Sequence, residues 1–253
     1  MRTGYDLPDE EIVHRYAVGQ AAGIKSPEFY RKLIRLAGDL TGCRVLEVGC
    51  GRGGLLRAIG ERFLCELHGV DFVNQFVEEA SQRAGPTVTI TIADVQAQLP
   101  YPDKHFDVVF GMELLEHLKF PGRCLVEVRR VLKDDGRAVL SIPNATGFFP
   151  FHYLGTMIPT RWLRRKLLPY EHPVNTQQPI DTMYTYGEIL RLVRVSGLMV
   201  DAMAGYRYFR YALGFPVLRS LYTPLAPRVE ALLERLGWRR FAYQLIVRCR
   251  KSG

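Results

Sequence analysis

The residues with the clearest capacity for chemistry are consecutive: Val45-Leu46-Glu47-Val48-Gly49-Cys50-Gly51-Arg52-Gly53-Gly54. An apolar run ends in a cluster of glycines, the pattern of a strand entering a turn that opens a helix. At such a turn the backbone can approach a ligand held at the helix N-terminus. The spacing Gly49-x-Gly51-x-x-Gly54 also satisfies the general dinucleotide fingerprint. Glu47 separates the readings, because a carboxylate two residues before the first glycine attracts an ammonium group and repels a pyrophosphate. Asp71 follows Gly49 by 22 residues, where an acidic residue at the end of the next strand accepts hydrogen bonds from ribose hydroxyls. Together they call for a ligand with a ribose at one end and a cationic amino acid at the other. A second constellation, Glu113-x-x-Glu116-His117, has a spacing that predicts all three side chains on one turn of helix. Such a set can hold a divalent cation, or Glu116 can pair with a nearby base. We assign it no metal.

The elements needed to position these residues are visible in the pattern. Cys43–Val48 reads as a strand, Leu55–Phe63 as a helix, Cys65–Val70 as a strand ending in Asp71, and Gln75–Ala84 as a helix. Val88–Ile92 and Phe106–Phe110 read as strands, Arg123–Leu132 as a helix and Ala138–Ile142 as a strand. This alternation implies βαβ units and a parallel sheet wrapped on both faces. Residues 1–40 read as two helices, the second opened by Ser26-Pro27-Glu28 and stopped at Gly38. Residues 143–184 are rich in aromatics, proline and arginine and suggest a lid facing the acceptor. Thr185-Tyr186-Gly187-Glu188 is a capping box opening a helix over Ile189–Val195, and Leu198–Met203 is strand-like. A proline-broken helical stretch covers Phe215–Leu236, and Phe241–Cys249 is a closing strand.

The 253 residues carry 47% hydrophobic and 24% charged side chains, which argues against disordered, collagenous and disulfide-scaffold classes. Five cysteines without CxxC or Cys/His ligand spacing read as reduced thiols in a cytoplasmic compartment. The N-terminus lacks the pattern of a secretion signal. The most apolar stretch, 148–163, is interrupted by two prolines, a histidine and an arginine and is not read as a membrane span. The net charge of +8 is unevenly spread: residues 1–150 carry 18 basic against 20 acidic side chains, residues 151–253 carry 16 against 6. The basic region implies an anionic partner or a solvated cationic face. Arg161, Arg164, Arg165 and Lys166 cluster beside Trp162, while Arg207 and Arg210 interleave with Tyr206, Tyr208, Phe209 and Tyr211. Such interleaving suits an anionic, partly apolar acceptor, or arginine stems lying over buried aromatics.

S-adenosylmethionine fits the ligand described by Glu47 and Asp71. The stretches VLEVGCGRGG (45–54), GVD (69–71), AD followed by LPYPDKHFDVVFGMELLEHL (93–118) and VRRVLKDDGRAVLSIPN (128–144) resemble class I S-adenosylmethionine-dependent methyltransferases. The likeness is to the broad group that includes the ubiquinone- and menaquinone-biosynthesis methyltransferases. The resemblance implies a doubly wound, Rossmann-like α/β sheet of seven strands, mostly parallel with the last antiparallel. It reads as one domain: N-terminal helices (1–40), a cofactor-binding core (41–145), an acceptor-facing embellishment (146–240) and a closing strand (241–251). It further implies that Glu47, Gly49 and Gly51 cradle the methionine end, with Gly53 forming the close turn. Cys50 lies within that loop as a small buried filler. Asp71 would bind the ribose and Phe72 would line the adenine slot. Asp94 would accept from the adenine amino group with Val95 beside it, and Gly111 and Met112 would contact the cofactor near its sulfonium. Phe72 and Val95 are equally compatible with core packing, and Asp94 with a cap.

Methyl transfer from a sulfonium is an in-line displacement, so the protein mainly aligns the acceptor and excludes water. His117 is the candidate general base for an acceptor that keeps its proton, or a histidine that orients a loop or caps a helix, with His172 as a weaker candidate. The metal reading of Glu113, Glu116 and His117 would follow relatives that hold a cation beside the acceptor oxygens. The expected activity is methyl transfer to a small or lipid-linked acceptor at oxygen or carbon, by a cytoplasmic protein that can contact an anionic membrane surface. The alternatives are an RNA methyltransferase and an inactive cofactor-binding assembly partner.

Overall fold

The computed structural model describes residues 11, 25–85, 87–147, 179–208 and 224–253. Its first helix, α1 (Pro27–Ala37), begins where the serine–proline pair predicts. The Ser26 side chain accepts from the Phe29 N–H, and Gly38 ends the helix at a positive φ. The alternation that follows is β1 (Arg44–Val48), α2 (Gly54–Gly60), β2 (Glu66–Asp71), α3 (Asn74–Ala84), β3 (Val88–Ile92), β4 (Phe106–Met112), α4 (Pro121–Val131) and β5 (Leu132–Pro143). The carboxyl-terminal part adds α5 (Tyr186–Val195), β6 (Leu198–Tyr206), α6 (Ala226–Arg235) and β7 (Gln244–Lys251).

The strands form one sheet in the order β3-β2-β1-β4-β5-β7-β6. β1 pairs parallel with β2 and β4, β2 with β3, and β4 with β5, whereas β7 is antiparallel to both β5 and β6. The central strands are buried on both faces because each face carries helices. On one face Val45, Val108, Phe110, Val139 and Ile246 pack with Phe29 and Leu33 of α1 and with Leu55, Leu56 and Ile59 of α2. On the other, Leu46, Val48, Val109, Leu140 and Val247 pack with Leu125 and Val128 of α4 and Ile189 and Val193 of α5. Each such residue, fully withdrawn from water, contributes roughly 1.5–3 kcal/mol.

The order reverses between β1 and β4, leaving a crevice at the carboxyl ends of these strands. Open α/β sheets bind ligands at such a switch point. Several boundaries shift from those read in the sequence. β6 continues to Tyr206 and β7 starts at Gln244, because Trp238–Phe241 is a turn of 3₁₀ helix rather than strand. β5 begins at Leu132, with a bulge in its pairing between Phe106 and Val108. Of the helical stretch expected over Phe215–Leu236, the described part is α6. The first N-terminal helix and residues 148–178 lie outside the described residues, apart from helical Glu11.

Candidate active site

The glycine loop is held from below by β2. The Cys50 N–H donates to the Val70 carbonyl at 2.9 Å, and the Gly51 N–H donates to Asp71 Oδ2 at 2.8 Å. The other oxygen of Asp71, Oδ1, accepts from the Val73 N–H at 3.0 Å. Each carboxylate oxygen has a further lone pair, so this buried group fixes the loop and keeps capacity for more donors. Gly49, Gly51 and Gly53 all have positive φ (68°, 50° and 72°), a region that side chains with a Cβ disfavour. Their surroundings differ. A Cβ on Gly49 would meet Leu114 Cδ1 at 2.7 Å and one on Gly53 would meet Ala80 at 3.2 Å, whereas nothing lies within 4 Å of that position on Gly51. The loop is therefore packed on its flanks and open at Gly51. Gly54 is also closely approached: a Cβ there would collide with the Tyr30 hydroxyl.

Glu47 is fully buried on β1, and neither carboxylate oxygen has a hydrogen-bond partner of normal geometry. Burial pushes its carboxyl well above the usual carboxylate range, and the nearby charge of Asp71 pushes it further. The backbone N–H of Leu56, the smallest of these three influences, opposes them. Burial also raises Asp71, against the N–H groups of Val73, Gly51 and Phe72 that favour its charge. An unsatisfied buried carboxyl is costly, and a cationic donor is what both acids lack. Cys50 beside them is buried, and its thiol is pushed well up by burial and by the two acids, so it fills space rather than reacting. Burial likewise pushes Cys124 and Cys249 up to about 12. None of the five cysteines forms a disulfide.

Phe72, half-buried, follows Asp71 directly. Val95 is buried among Leu46, Val48 and Val70, so it packs in the core. Asp94 is exposed and accepts from the Gln96 N–H at 2.8 Å, the turn-capping arrangement. Gly111 and Met112 end β4 next to Val48, with Gly111 buried and Met112 partly exposed.

The residues after β4 correct one expectation. Glu113, Glu116 and His117 do not share a helical turn. Glu113 takes a left-handed conformation (φ 50°), and only Leu115–His117 form a turn of 3₁₀ helix. Glu113 instead reaches across to β5 and β7. Its N–H donates to Ser141, its Oε2 accepts from Gln244 Nε2 at 2.6 Å, and Lys25 Nζ lies 3.8 Å away. Among the described residues no three His, Cys, Asp or Glu side chains converge as a cation site. His117 Nδ1 lies 2.9 Å from the Ile180 carbonyl. A carbonyl only accepts, so Nδ1 carries the proton and Nε2 is the basic nitrogen of the neutral ring. Burial lowers the His117 pKa, and so keeps the ring neutral, against the Ile180 carbonyl and the charges of Asp181 and Glu113. Glu116 is buried with Oε1 3.9 Å from His117 Nε2. Burial and Glu113 push its carboxyl well up.

Of the basic–aromatic cluster, only Tyr206, Arg207 and Tyr208 are described. Both tyrosines are buried, and the Arg207 guanidinium lies over the Tyr206 ring at 5.1 Å. At these positions the cluster is an arginine stem over buried aromatics. Arg161, Trp162, Arg164, Arg165, Lys166, His172, Phe209, Arg210 and Tyr211 lie outside the described residues. Lys25, Tyr30, Ser141 and Gln244 border the site without having been singled out from the sequence. Only the run of glycines, which implies a close neighbour for one of them, hinted at Tyr30.

The family described as a methyltransferase domain matches residues 46–140. A ubiquinone biosynthesis O-methyltransferase of Neisseria meningitidis is 28% identical over 177 residues, 67% of this chain and 69% of that protein. A 27-O-demethylrifamycin SV methyltransferase of Amycolatopsis mediterranei is 31% identical over 150 residues, 54% of each chain. The fold matches an S-adenosylmethionine-dependent methyltransferase from Mesorhizobium loti with a TM-score of 0.60 at 18% identity, over 88% of this chain and 96% of that one. A buried acid without a cation, a ribose-distance acid and a glycine turn open at Gly51 fit S-adenosylmethionine, the cofactor of the methyltransferase domain that residues 46–140 match.

Proposed function

We propose that the enzyme transfers the methyl group of S-adenosylmethionine to a small or lipid-linked, anionic acceptor at oxygen or carbon. The observation that carries the cofactor half of this reading is the unpartnered, buried carboxyl of Glu47 at the mouth of the glycine turn. The cofactor supplies a methyl group on a sulfonium, a good leaving group. The chain's residues bind, orient and exclude water. Glu47 takes the amino-acid ammonium, and Gly49 and Gly51 leave room for the methionine end, with Gly53 making the tight turn. Asp71 accepts from the ribose hydroxyls with the lone pairs that Gly51 and Val73 leave over. Phe72 lies against the adenine and Asp94 accepts from its amino group. Gly111 and Met112 face the reacting end.

His117 is the general base for an acceptor that keeps its proton. The Ile180 carbonyl fixes the ring orientation, and burial keeps Nε2 unprotonated at neutral pH. The O-methyltransferases among its relatives, together with the basic carboxyl-terminal region, support a small acceptor bearing negative charge. An RNA acceptor is disfavoured by the inward packing of Tyr206 and Tyr208, which withdraws two aromatic faces from base stacking.

The test is transfer of labelled methyl from the cofactor into a cell extract that is then divided into lipid, soluble small-molecule and RNA pools. Label should enter the lipid or small-molecule pool. Label confined to RNA would overturn the acceptor reading.

A further inference from the structure

Beyond its activity, the enzyme carries a second surface with an unusual distribution of side chains. α6 and the turn after it divide their residues sharply. The inner side of α6 places Leu233 against Tyr208 and Ala242, with Val229 beside them. Both acids of the helix also turn inward, Glu234 lying 2.9 Å and Glu230 3.7 Å from Lys32 Nζ. The outer side has no acid. Leu225, Leu232 and Leu236, at helical spacing, form an apolar line with about half of each side chain in solvent. Arg228 and Arg235 run along its flank. Gly237, at a positive φ of 74°, then breaks the helix and presents Trp238, Arg239 and Arg240, all exposed. Among the described residues none of these four arginines forms an ion pair. Exposed leucines and a tryptophan flanked by uncompensated arginines are a poor surface for water and a good one for the boundary between phosphates and acyl chains. There the apolar line inserts and the guanidiniums reach phosphate oxygens.

The position of this surface adds to its chemistry. Lys32, which collects the two inner acids, also donates to the Gly205 carbonyl at 2.7 Å. α6 is thereby tied to the carboxyl end of β6. Because β7 runs antiparallel to both β5 and β6, β6 runs in the same direction as β1 and β4. Its carboxyl end lies at the same edge of the sheet as the glycine turn and His117. A protein docked through this surface would hold its site edge near the bilayer rather than at the far side of the molecule.

We infer that the outer face of α6 together with Trp238–Arg240 is a docking surface for anionic phospholipid bilayers. The occupant is fixed by charge. The face carries four arginines and no acid, so it repels a second copy of itself in a two-fold pairing and attracts a phosphate-rich surface. The inference goes beyond methyl transfer and does not depend on which acceptor is used.

The test is flotation of the purified full chain with vesicles of phosphatidylcholine alone, or of phosphatidylcholine containing phosphatidylserine, at low and high salt. The wild-type chain should float with the phosphatidylserine vesicles at low salt, release as salt rises, and stay behind with phosphatidylcholine alone. Two multiple variants divide the contributions. Leu232→Glu with Leu236→Glu should abolish flotation. Arg228→Ala, Arg235→Ala and Arg239→Ala together should weaken it on the order of a hundredfold, at about one kcal/mol per basic residue. Titration of each variant with S-adenosylmethionine should give the wild-type dissociation constant, which separates loss of docking from loss of the fold or of the cofactor reading. Absence of flotation by the wild-type chain, or flotation unchanged in both variants, would overturn the inference. So would a dimer that forms without vesicles and is broken by the leucine substitutions, since the face would then be a subunit contact.

Discussion

The two halves of the sheet solve different problems with different materials. In the β3-β2-β1-β4 half, binding capacity comes from backbone groups and from acids no more than 20 residues away. Asp71 bonds Gly51 and Val73, and Glu47 sits two residues before the glycines. In the β5-β7-β6 half and the segments leaning on it, polar groups meet across long stretches of chain. Glu113 and Gln244 are 131 residues apart, His117 and Ile180 63, and Lys32 and Glu234 202. The first half presents a buried acid without a cation, and the second is where the chain's excess of positive charge resides. A cofactor common to many enzymes can be held by a local, repeatable device, whereas an acceptor peculiar to one enzyme is met by residues that only the fold assembles.

Substitutions that separate the halves sharpen this contrast. The largest effect should come from the acceptor side. His117→Gln should lower kcat by about 100- to 10,000-fold for an acceptor that must lose a proton, while leaving the cofactor dissociation constant unchanged. In the wild type, kcat/KM should rise with pH as His117 loses its proton and level off below the ordinary histidine range, since burial lowers its pKa. A pH profile that is the same in wild type and variant would remove the base role.

Asp71→Ala should cost about 1.5–3 kcal/mol of cofactor binding, measured by calorimetry. It should also lower Tm, because the Gly51 and Val73 N–H groups lose their acceptor. An unchanged dissociation constant would break the ribose assignment. Glu47→Gln should move affinity and stability in opposite directions. Because the folded-state pKa of Glu47 lies above its unfolded value, ionising it at neutral pH costs folding free energy, and that cost disappears when pH falls below the unfolded value. The amide should therefore raise stability of the cofactor-free protein by roughly 0.5–2 kcal/mol and weaken the cofactor. Wild-type binding should release a proton, read as a dependence of the binding enthalpy on buffer. The smallest effect should be at Thr185, whose hydroxyl serves the capping box with Glu188. Thr185→Ala should cost about 1 kcal/mol of stability without altering either binding or rate.

The elements that the sequence announced are those governed by local rules. The Ser26 and Thr185 caps, the β1–α2 turn and the strand Val88–Ile92 appear where the residues place them. The glycine turn and the acid that ends β2 were legible for the same reason, since glycine spacing and a strand-ending acid are short-range features. The constellation Glu113-x-x-Glu116-His117 was misplaced because its spacing fits a helix, while the chain there must turn off the end of β4. That turn is made by putting Glu113 in the left-handed region, and its N–H is satisfied by Ser141 of the neighbouring strand. No pattern within five residues records that requirement. Likewise the closing strand starts three residues late because 238–241 coil to bring Asn144 Nδ2 onto the carbonyls of Arg240 and Ala242.

By itself the sequence determined the fold class, the glycine turn with its two neighbouring acids and the uneven charge, since each is a matter of residue type at short spacing. The tertiary structure alone decided that Glu47 is left without a partner and that His117 is held as a neutral ring by a carbonyl 63 residues away. It also decided that the acids of α6 turn inward while Arg228, Leu232 and Arg235 face out. Burial and charge pairing depend on which distant segments come to lie together, and that is fixed only when the sheet and its helices close around a common core.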